Sequence, residues 1–105
     1  MTFQLGAALM DACVLAVLTK EDSYGYNLTQ KVKDVLEISD STLYPVLRRL
    51  QKEGLLRTYD IPYHGRNRRY YAITATGIER FQFYANEWDL YKKRVDKLMV
   101  GGVFQ

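Results

Sequence analysis

The sequence contains one cysteine, one histidine and two prolines among its 105 residues. Because Cys13 is alone, no disulfide can form within the chain, which favours the cytoplasm over an oxidising compartment. His64 is also alone, so no Cys/His cluster indicates a zinc site, and no glycine-rich phosphate loop is present. No set of acid, base and nucleophile can be assembled. The sequence therefore predicts a protein that is not an enzyme and needs no metal or cofactor.

The first 20 residues are the only stretch apolar enough to suggest a membrane segment. They have no basic N-terminal region and carry Asp11 in their middle, whereas a span needs about 20 apolar residues. We expect a buried helix here and no membrane partner. The length of the chain and its 48% apolar content indicate one globular domain.

Two helices are predicted in the first third of the chain. Apolar residues at helical spacing mark a first helix over residues 5–18. Ser23 could cap a second helix from Tyr24 to about Leu36, in which Val35 and Leu36 face inward.

A third helix is expected after a short turn at residues 37–39, and Gly54 ends it. Residues 55–63 and 68–74 are β-rich and flank turn residues at 64–67, and Pro62 indicates an edge strand. Thr74 can cap a last helix that runs to about Val100.

This order of elements predicts a mainly α fold with a small β-hairpin. We expect a winged helix-turn-helix DNA-binding domain over residues 1–73, followed by a C-terminal dimerisation helix over residues 74–105.

Positive charge is concentrated in the middle of the chain. Residues 41–71 contain seven basic and two acidic side chains, a net charge of +5, whereas the whole chain carries +3. A basic segment on a nearly neutral body indicates a local anionic partner, such as the phosphate backbone of double-stranded DNA.

The third helix is interrupted by Pro45, which would break a helix at its centre. If Ser39 or Ser41 caps the helix, Pro45 lies in or just after the first turn and removes at most one hydrogen bond. The leucines of this helix then face the core, and the other side chains can reach phosphates and base edges in the major groove. These predicted DNA-binding residues are Ser41, Thr42, Tyr44, Pro45, Arg48 and Arg49.

The hairpin tip carries three arginines within four residues, Arg66, Arg68 and Arg69, with Asn67 between them. They could neutralise up to three phosphates or enter a minor groove. Such charge could also simply keep a sheet edge soluble. Because this hairpin directly follows a helix-turn-helix pattern, we favour contact with DNA over the solubility role.

Three stretches together resemble PadR-family transcriptional regulators: SYGYNLTQKV, STLYPVLRRLQKEGLL and GRNRRYYAITATG. The resemblance covers most of residues 5–100. It implies a dimeric winged-helix repressor that releases its operator on binding a small molecule. Thr42, Tyr44, Pro45 and Arg48 match the recognition helix, and the three arginines match the wing. Asn67 replaces a proline common in the family's wing, and the single C-terminal helix resembles the short subfamily with multidrug-binding members.

The last helix carries an apolar and aromatic seam with spacings of 3, 4, 3, 4 and 3 residues. A seam of more than two heptads indicates a partner helix, and operator binding with two-fold symmetry favours a homodimer. The first helix could join this interface. The seam residues are Phe81, Tyr84, Trp88, Tyr91, Val95 and Leu98.

Trp88 has two open interpretations. It could fill the dimer contact, or it could be an aromatic plate for a flat effector. The second follows from the resemblance, because multidrug-binding members place a tryptophan here, lining a pore between subunits. The charge of such an effector stays open, since Asp11 would favour a cation and Lys92 an anion.

Two alternatives to an effector-controlled regulator remain. A winged helix can serve as a protein-interaction module, but that favours an acidic or apolar third helix, and this one is basic. DNA binding without an effector is also possible, because an aromatic seam and an aromatic pocket look alike in sequence. A cavity between paired Trp88 residues would favour the effector, and a filled seam would favour its absence.

Overall fold

The structure, a computed structural model, describes residues 5–100. The start of the predicted segment 1–73 and the end of the predicted segment 74–105 lie outside the described residues. The structure contains four helices and three strands in these residues. They are α1 (Leu5–Lys20), β1 (Ser23–Tyr24), α2 (Gly25–Leu36), α3 (Asp40–Lys52), β2 (Leu56–Tyr63), β3 (Arg66–Ile73) and α4 (Ala75–Met99). This confirms the predicted fold class.

Helix α3 begins and ends where local sequence signals place it. The Ser39 side chain accepts a hydrogen bond from the backbone N–H of Thr42 at 3.3 Å and caps the helix. At the other end Gly54 has a φ of +79°, the left-handed conformation that glycine adopts without a steric penalty. The N–H of Leu55 donates to the carbonyl of Leu50 at 2.9 Å, which completes a Schellman motif.

The three strands form an antiparallel sheet in the order β1-β3-β2. The predicted four-residue turn is wrong: only His64 and Gly65 form it, with φ values of 49° and 77°. Positive φ at both positions is typical of a type I′ turn, whose twist matches that of the flanking strands. Arg66 and Asn67 therefore belong to β3, and Asn67 pairs with Pro62 on the edge strand β2.

Strand β1 was not predicted, and it changes the role of Ser23. This residue is buried and pairs with Tyr71 on β3, so it does not cap α2. Tyr24 holds the N-cap position without a side-chain hydrogen bond.

The hydrophobic core lies between α1, α2, α3 and the inner face of the sheet. Its fully buried members include Val14, Leu15, Leu28, Leu43 and Leu47. Val35 was predicted to face inward, but its side chain is 72% exposed.

Helix α4 starts against the sheet and then extends away from it. The Thr74 hydroxyl accepts a hydrogen bond from the N–H of Gly77 at 3.0 Å and donates to the carbonyl of Gly54 at 2.7 Å. The radius of gyration is 16.0 Å, against about 13 Å for a compact domain of this length. The protruding half of α4 accounts for this elongated shape. Within residues 5–100, no helix is both long and apolar enough to span a membrane.

Candidate nucleic-acid interface

Helix α3 separates a core face from an exposed face. Leu43, Val46, Leu47 and Leu50 are buried. The opposite face is exposed, including Tyr44 at 41%. This places the predicted recognition residues on one accessible surface: Ser41, Thr42, Tyr44, Pro45 and Arg48.

The first turn of α3 presents hydroxyl groups in fixed positions. The Ser39 Oγ lies 2.9 Å from the Ser41 Oγ and 3.1 Å from the Thr42 Oγ1. A helix N-terminus favours anions because its N–H groups and dipole point outward. Asp40 in the same turn is paired with Lys33 at 2.9 Å, so its negative charge is partly neutralised. That hydrogen bond raises the pKa of Lys33 above its ordinary value.

Arg48 on α3 and Arg69 on β3 are both exposed, and the charge of each acts on the pKa of Tyr71. Burial of this tyrosine raises its pKa, and the positive charges of Arg69 and Arg48 act in the opposite direction. Among residues 5–100, Arg48 forms no ion pair. The exposed face of α3 and the wing strand therefore both present arginines to solvent.

Arg49 has a different environment from Arg48. Its guanidinium donates hydrogen bonds to the carboxylate of Asp11 on α1 and, at 3.3 Å, to Glu53. These bonds raise the pKa of Arg49. Arg49 was predicted to bind DNA, but here its charge is compensated within the chain.

The wing arginines lie on both faces of β3, Arg66 and Arg68 on one face and Arg69 on the other. Arg66 is exposed beside the turn, and Asn67 next to it is exposed on the opposite face. Arg69 lies 3.7 Å from Asp60 and keeps 63% of its side chain exposed. Arg66 forms no ion pair within the described part of the chain, so it is the more available cation.

Arg68 is held between two tyrosine rings. Its guanidinium carbon lies 3.6 Å from the ring centre of Tyr63 and 4.4 Å from that of Tyr24. The prediction from sequence missed both tyrosines. Tyr63 could have been found, because it and Arg68 fall on the same face of the hairpin once the register is known. Tyr24 could not, because nothing in the sequence marks β1.

An open apolar groove of about 430 Å³ lies between α1, α2 and α4. Trp88 is one of the residues that line it. Neither Asp11 nor Lys92 lines it, and no charged side chain is among its lining residues within positions 5–100. Asp11 is instead buried within the chain, with its carboxylate paired to Arg49. The groove is lined by Leu9, Ala12, Cys13, Ala16, Val35, Leu36, Phe81, Tyr84, Ala85 and Trp88.

The predicted seam of α4 does not form one uniform surface. Tyr84 is only 7% exposed within its own chain, and its hydroxyl donates to Asp11 at 3.2 Å. Phe81 and Tyr91 also pack partly against the core. Val95 is half-buried, whereas Leu98 is 83% exposed. The accessible part of the seam therefore lies toward the end of α4.

No group of three potential metal ligands occurs among residues 5–100. Helices α2 and α3, the basic hairpin and the exposed basic face of α3 define a winged helix-turn-helix protein of the DNA-binding kind. The family model described as Transcriptional regulator PadR-like family matches residues 14–82, which is more than half of the chain. The chain belongs to this family. Its members are transcriptional regulators that bind DNA, not enzymes.

The chain is also similar to individual proteins over most of its length, one of which is described as PadR-like. The crystal structure of smu.1704 from Streptococcus mutans UA159 is 39% identical, with a TM-score of 0.85 over 96% of this chain and 95% of that one. A PadR-like transcriptional regulator from Bacillus cereus strain ATCC 14579 is 29% identical, with a TM-score of 0.81. The match covers 93% of this chain and 98% of that one. Uncharacterized protein X from Lysinibacillus sphaericus is 31% identical over 98 residues, 88% of this chain and 89% of that protein.

Proposed function

We propose that this regulator is a cytoplasmic homodimeric repressor whose operator affinity is lowered by a small aromatic effector. The observation that carries the proposal is that Arg48 is exposed on α3 and Arg66 and Arg69 are exposed on the hairpin that follows it. Helix α3 and the wing can then contact one DNA duplex together.

The recognition helix would read the major groove. Arg48 is exposed and unpaired among the described residues, so its guanidinium can donate two hydrogen bonds to a guanine. The hydroxyls of Ser41 and Thr42 are suited to phosphates near the helix N-terminus. Tyr44 and Pro45 would contact bases or sugars through their apolar surfaces.

The wing would add contacts that do not depend on sequence. Arg66 and Asn67 lie at the exposed tip, and Arg69 lies on the face that Tyr71 shares. A hairpin tip of this kind can lie along a phosphate backbone or enter a minor groove. Arg68 would support the wing from its other face through its two tyrosines.

A homodimer would cover the exposed apolar side chains of α4. Trp88, Leu90, Leu98 and Met99 are between 37% and 83% exposed in the single chain. Large apolar side chains clustered on a protruding helix usually mark an interface. Two copies joined along α4 would present two recognition helices to a two-fold operator.

The groove beside Trp88 is the proposed effector site. Its volume lies in the range of small-molecule sites, which is about 300–1,000 Å³. Because its lining carries no charge in the described residues, we expect flat aromatic molecules held by stacking and apolar contact. The alternative is that α4 of the partner fills the groove, which would leave a DNA-binding regulator without an effector.

Three measurements test the proposal. An operator duplex with a fluorescent label reports DNA binding by anisotropy. Addition of 1-anilinonaphthalene-8-sulfonate, an aromatic probe that fluoresces in apolar sites, should give fluorescence on entering the groove and should release the duplex. Fluorescence without release, or no fluorescence, would favour the version without an effector. A reporter gene behind the operator should fall in expression when the protein is supplied, and a rise would make it an activator.

A further inference from the structure

A buried carboxylate links three helices at the centre of the molecule. Asp11 on α1 is 3% exposed. It accepts a hydrogen bond from the guanidinium of Arg49 on α3 and another from the hydroxyl of Tyr84 on α4. The three residues lie far apart in the sequence and meet only in the folded chain.

Tyr84 faces two environments. Its ring lines the groove beside Trp88, one turn further along α4. Its hydroxyl points to Asp11, and Arg80 lies with its guanidinium 6.0 Å from the ring centre. A molecule in this part of the groove can therefore contact the same side chain that donates to Asp11.

Arg49 also faces two environments. Its guanidinium is bound to Asp11, yet its side chain is 42% exposed on α3, one residue after Arg48. Glu53, one turn later, accepts its second hydrogen bond. The inner edge of the recognition helix is thus fastened to α1 through a charge pair.

We propose that Tyr84, Asp11 and Arg49 couple the groove to the recognition helix, with Arg49 positioning α3 rather than contacting DNA. A buried carboxylate that loses a partner is costly, because water cannot replace the lost hydrogen bond. If Tyr84 moves away from Asp11, the carboxylate of Asp11 and its partner Arg49 must therefore rearrange. Because Arg49 belongs to α3, this rearrangement shifts α3. This inference rests on the proposed function and names the route of its regulation.

The coupling must act in both directions, because linkage between two sites is reciprocal. Binding of DNA to α3 should therefore change the environment of the side chains that line the groove. Trp88 is the only tryptophan in the chain, and it stacks on Tyr91 with ring centres 6.3 Å apart. Its emission reports the groove without any added ligand.

The test follows Trp88 emission and operator affinity together in the full-length protein. Tyr84→Phe removes only the hydroxyl that donates to Asp11, and Asp11→Asn keeps the shape but removes the charge. Tyr26→Phe is the matched control, because Tyr26 is 61% exposed and outside the network. Circular dichroism checks that each variant is folded.

We expect operator binding to shift the Trp88 emission of the native protein and of Tyr26→Phe. Tyr84→Phe should still bind the operator, weaker than native by up to about tenfold, the scale of one hydrogen bond, and should lose most of the shift. A native protein without the shift, or Tyr84→Phe with the full shift, would overturn the inference. If even the native protein does not bind DNA, the proposed function fails first, and that result is distinct.

Discussion

The guanidinium of Arg68 lies 3.6 Å from the ring centre of Tyr63. The same group lies 4.4 Å from the ring of Tyr24 on β1, so one arginine on the central strand β3 joins both outer strands. A cation over an aromatic ring contributes about 0.5–1 kcal/mol at an exposed site. Arg68 therefore fastens the wing to the start of α2.

Arg68→Ala should loosen the wing. We expect faster amide hydrogen exchange at the β2–β3 tip. The free energy of local opening should fall by about 1–2 kcal/mol, the sum of two such contacts. Arg66→Ala is the matched control, because it removes the same charge from the tip without a stacked ring. Equal exchange in both variants would contradict a stabilising role for the tyrosine contacts.

Arg66→Ala should affect DNA binding through its charge. The loss of one phosphate contact lowers the salt slope of log K by about one and weakens binding to all sequences alike. Anisotropy titrations over a salt series measure this slope. An unchanged slope would remove Arg66 from the phosphate contacts.

Arg48→Ala should affect which sequence is bound. We expect about 1–3 kcal/mol of lost operator affinity, with a much smaller loss on scrambled DNA, because a bidentate contact to guanine is base-specific. Lys52→Ala, also exposed and basic on the same helix, is the control. A loss of similar size on operator and scrambled duplexes would make Arg48 a phosphate contact.

Gly77→Ala should destabilise the fold. A Cβ at this position would lie 2.2 Å from the carbonyl oxygen of Leu55 and 2.7 Å from Ile73 Cγ1, so α4 would have to move away from the sheet. Overpacking of this kind costs about 1–3 kcal/mol or more in free energy of unfolding. Urea denaturation measures it.

Gly6→Ala is the control for Gly77→Ala, because a Cβ there meets no atom of the described residues within 4 Å. Its stability should be unchanged or slightly higher, by up to roughly 1 kcal/mol. If Gly77→Ala were as stable as the native protein, the start of α4 would not depend on the close approach of Gly77 to the Leu55 carbonyl oxygen.

Leu98→Glu should dissociate the proposed dimer. Leu98 is 83% exposed in the single chain and lies in the protruding part of α4, where a carboxylate in an apolar seam is unfavourable. Sedimentation velocity should show a shift toward monomer. Lys97→Glu changes charge at the neighbouring position and should remain dimeric. An unaffected dimer in Leu98→Glu would exclude the end of α4 from the interface.

The features predicted correctly from the sequence depend on local signals. The cap of α3, predicted at Ser39 or Ser41 and found at Ser39, the Gly54 end of α3 and the Thr74 cap of α4 each arise from residues a few positions apart. The exposed face of α3 followed in the same way, because helical spacing identifies which side chains point away from the leucines.

The features that were missed depend on contacts across the chain. Asp11 and Arg49 are 38 residues apart, so their ion pair has no local pattern. The seam spacing placed Tyr84 on one face of α4. It did not indicate that α1 of the same chain covers this side chain. Strand β1 has only two residues, too few for any periodicity. A sequence pattern identifies a surface more readily than it identifies what lies against that surface.

The central claim is most directly tested by an anisotropy titration of the native protein. The labelled duplex is the DNA upstream of its own gene, beside a scrambled duplex of equal length, over a salt series. We predict tight, salt-sensitive binding that favours the upstream duplex by a factor of about 10³ or more. Equal binding to both duplexes, or none at low salt, would contradict sequence-specific recognition by α3 and the wing.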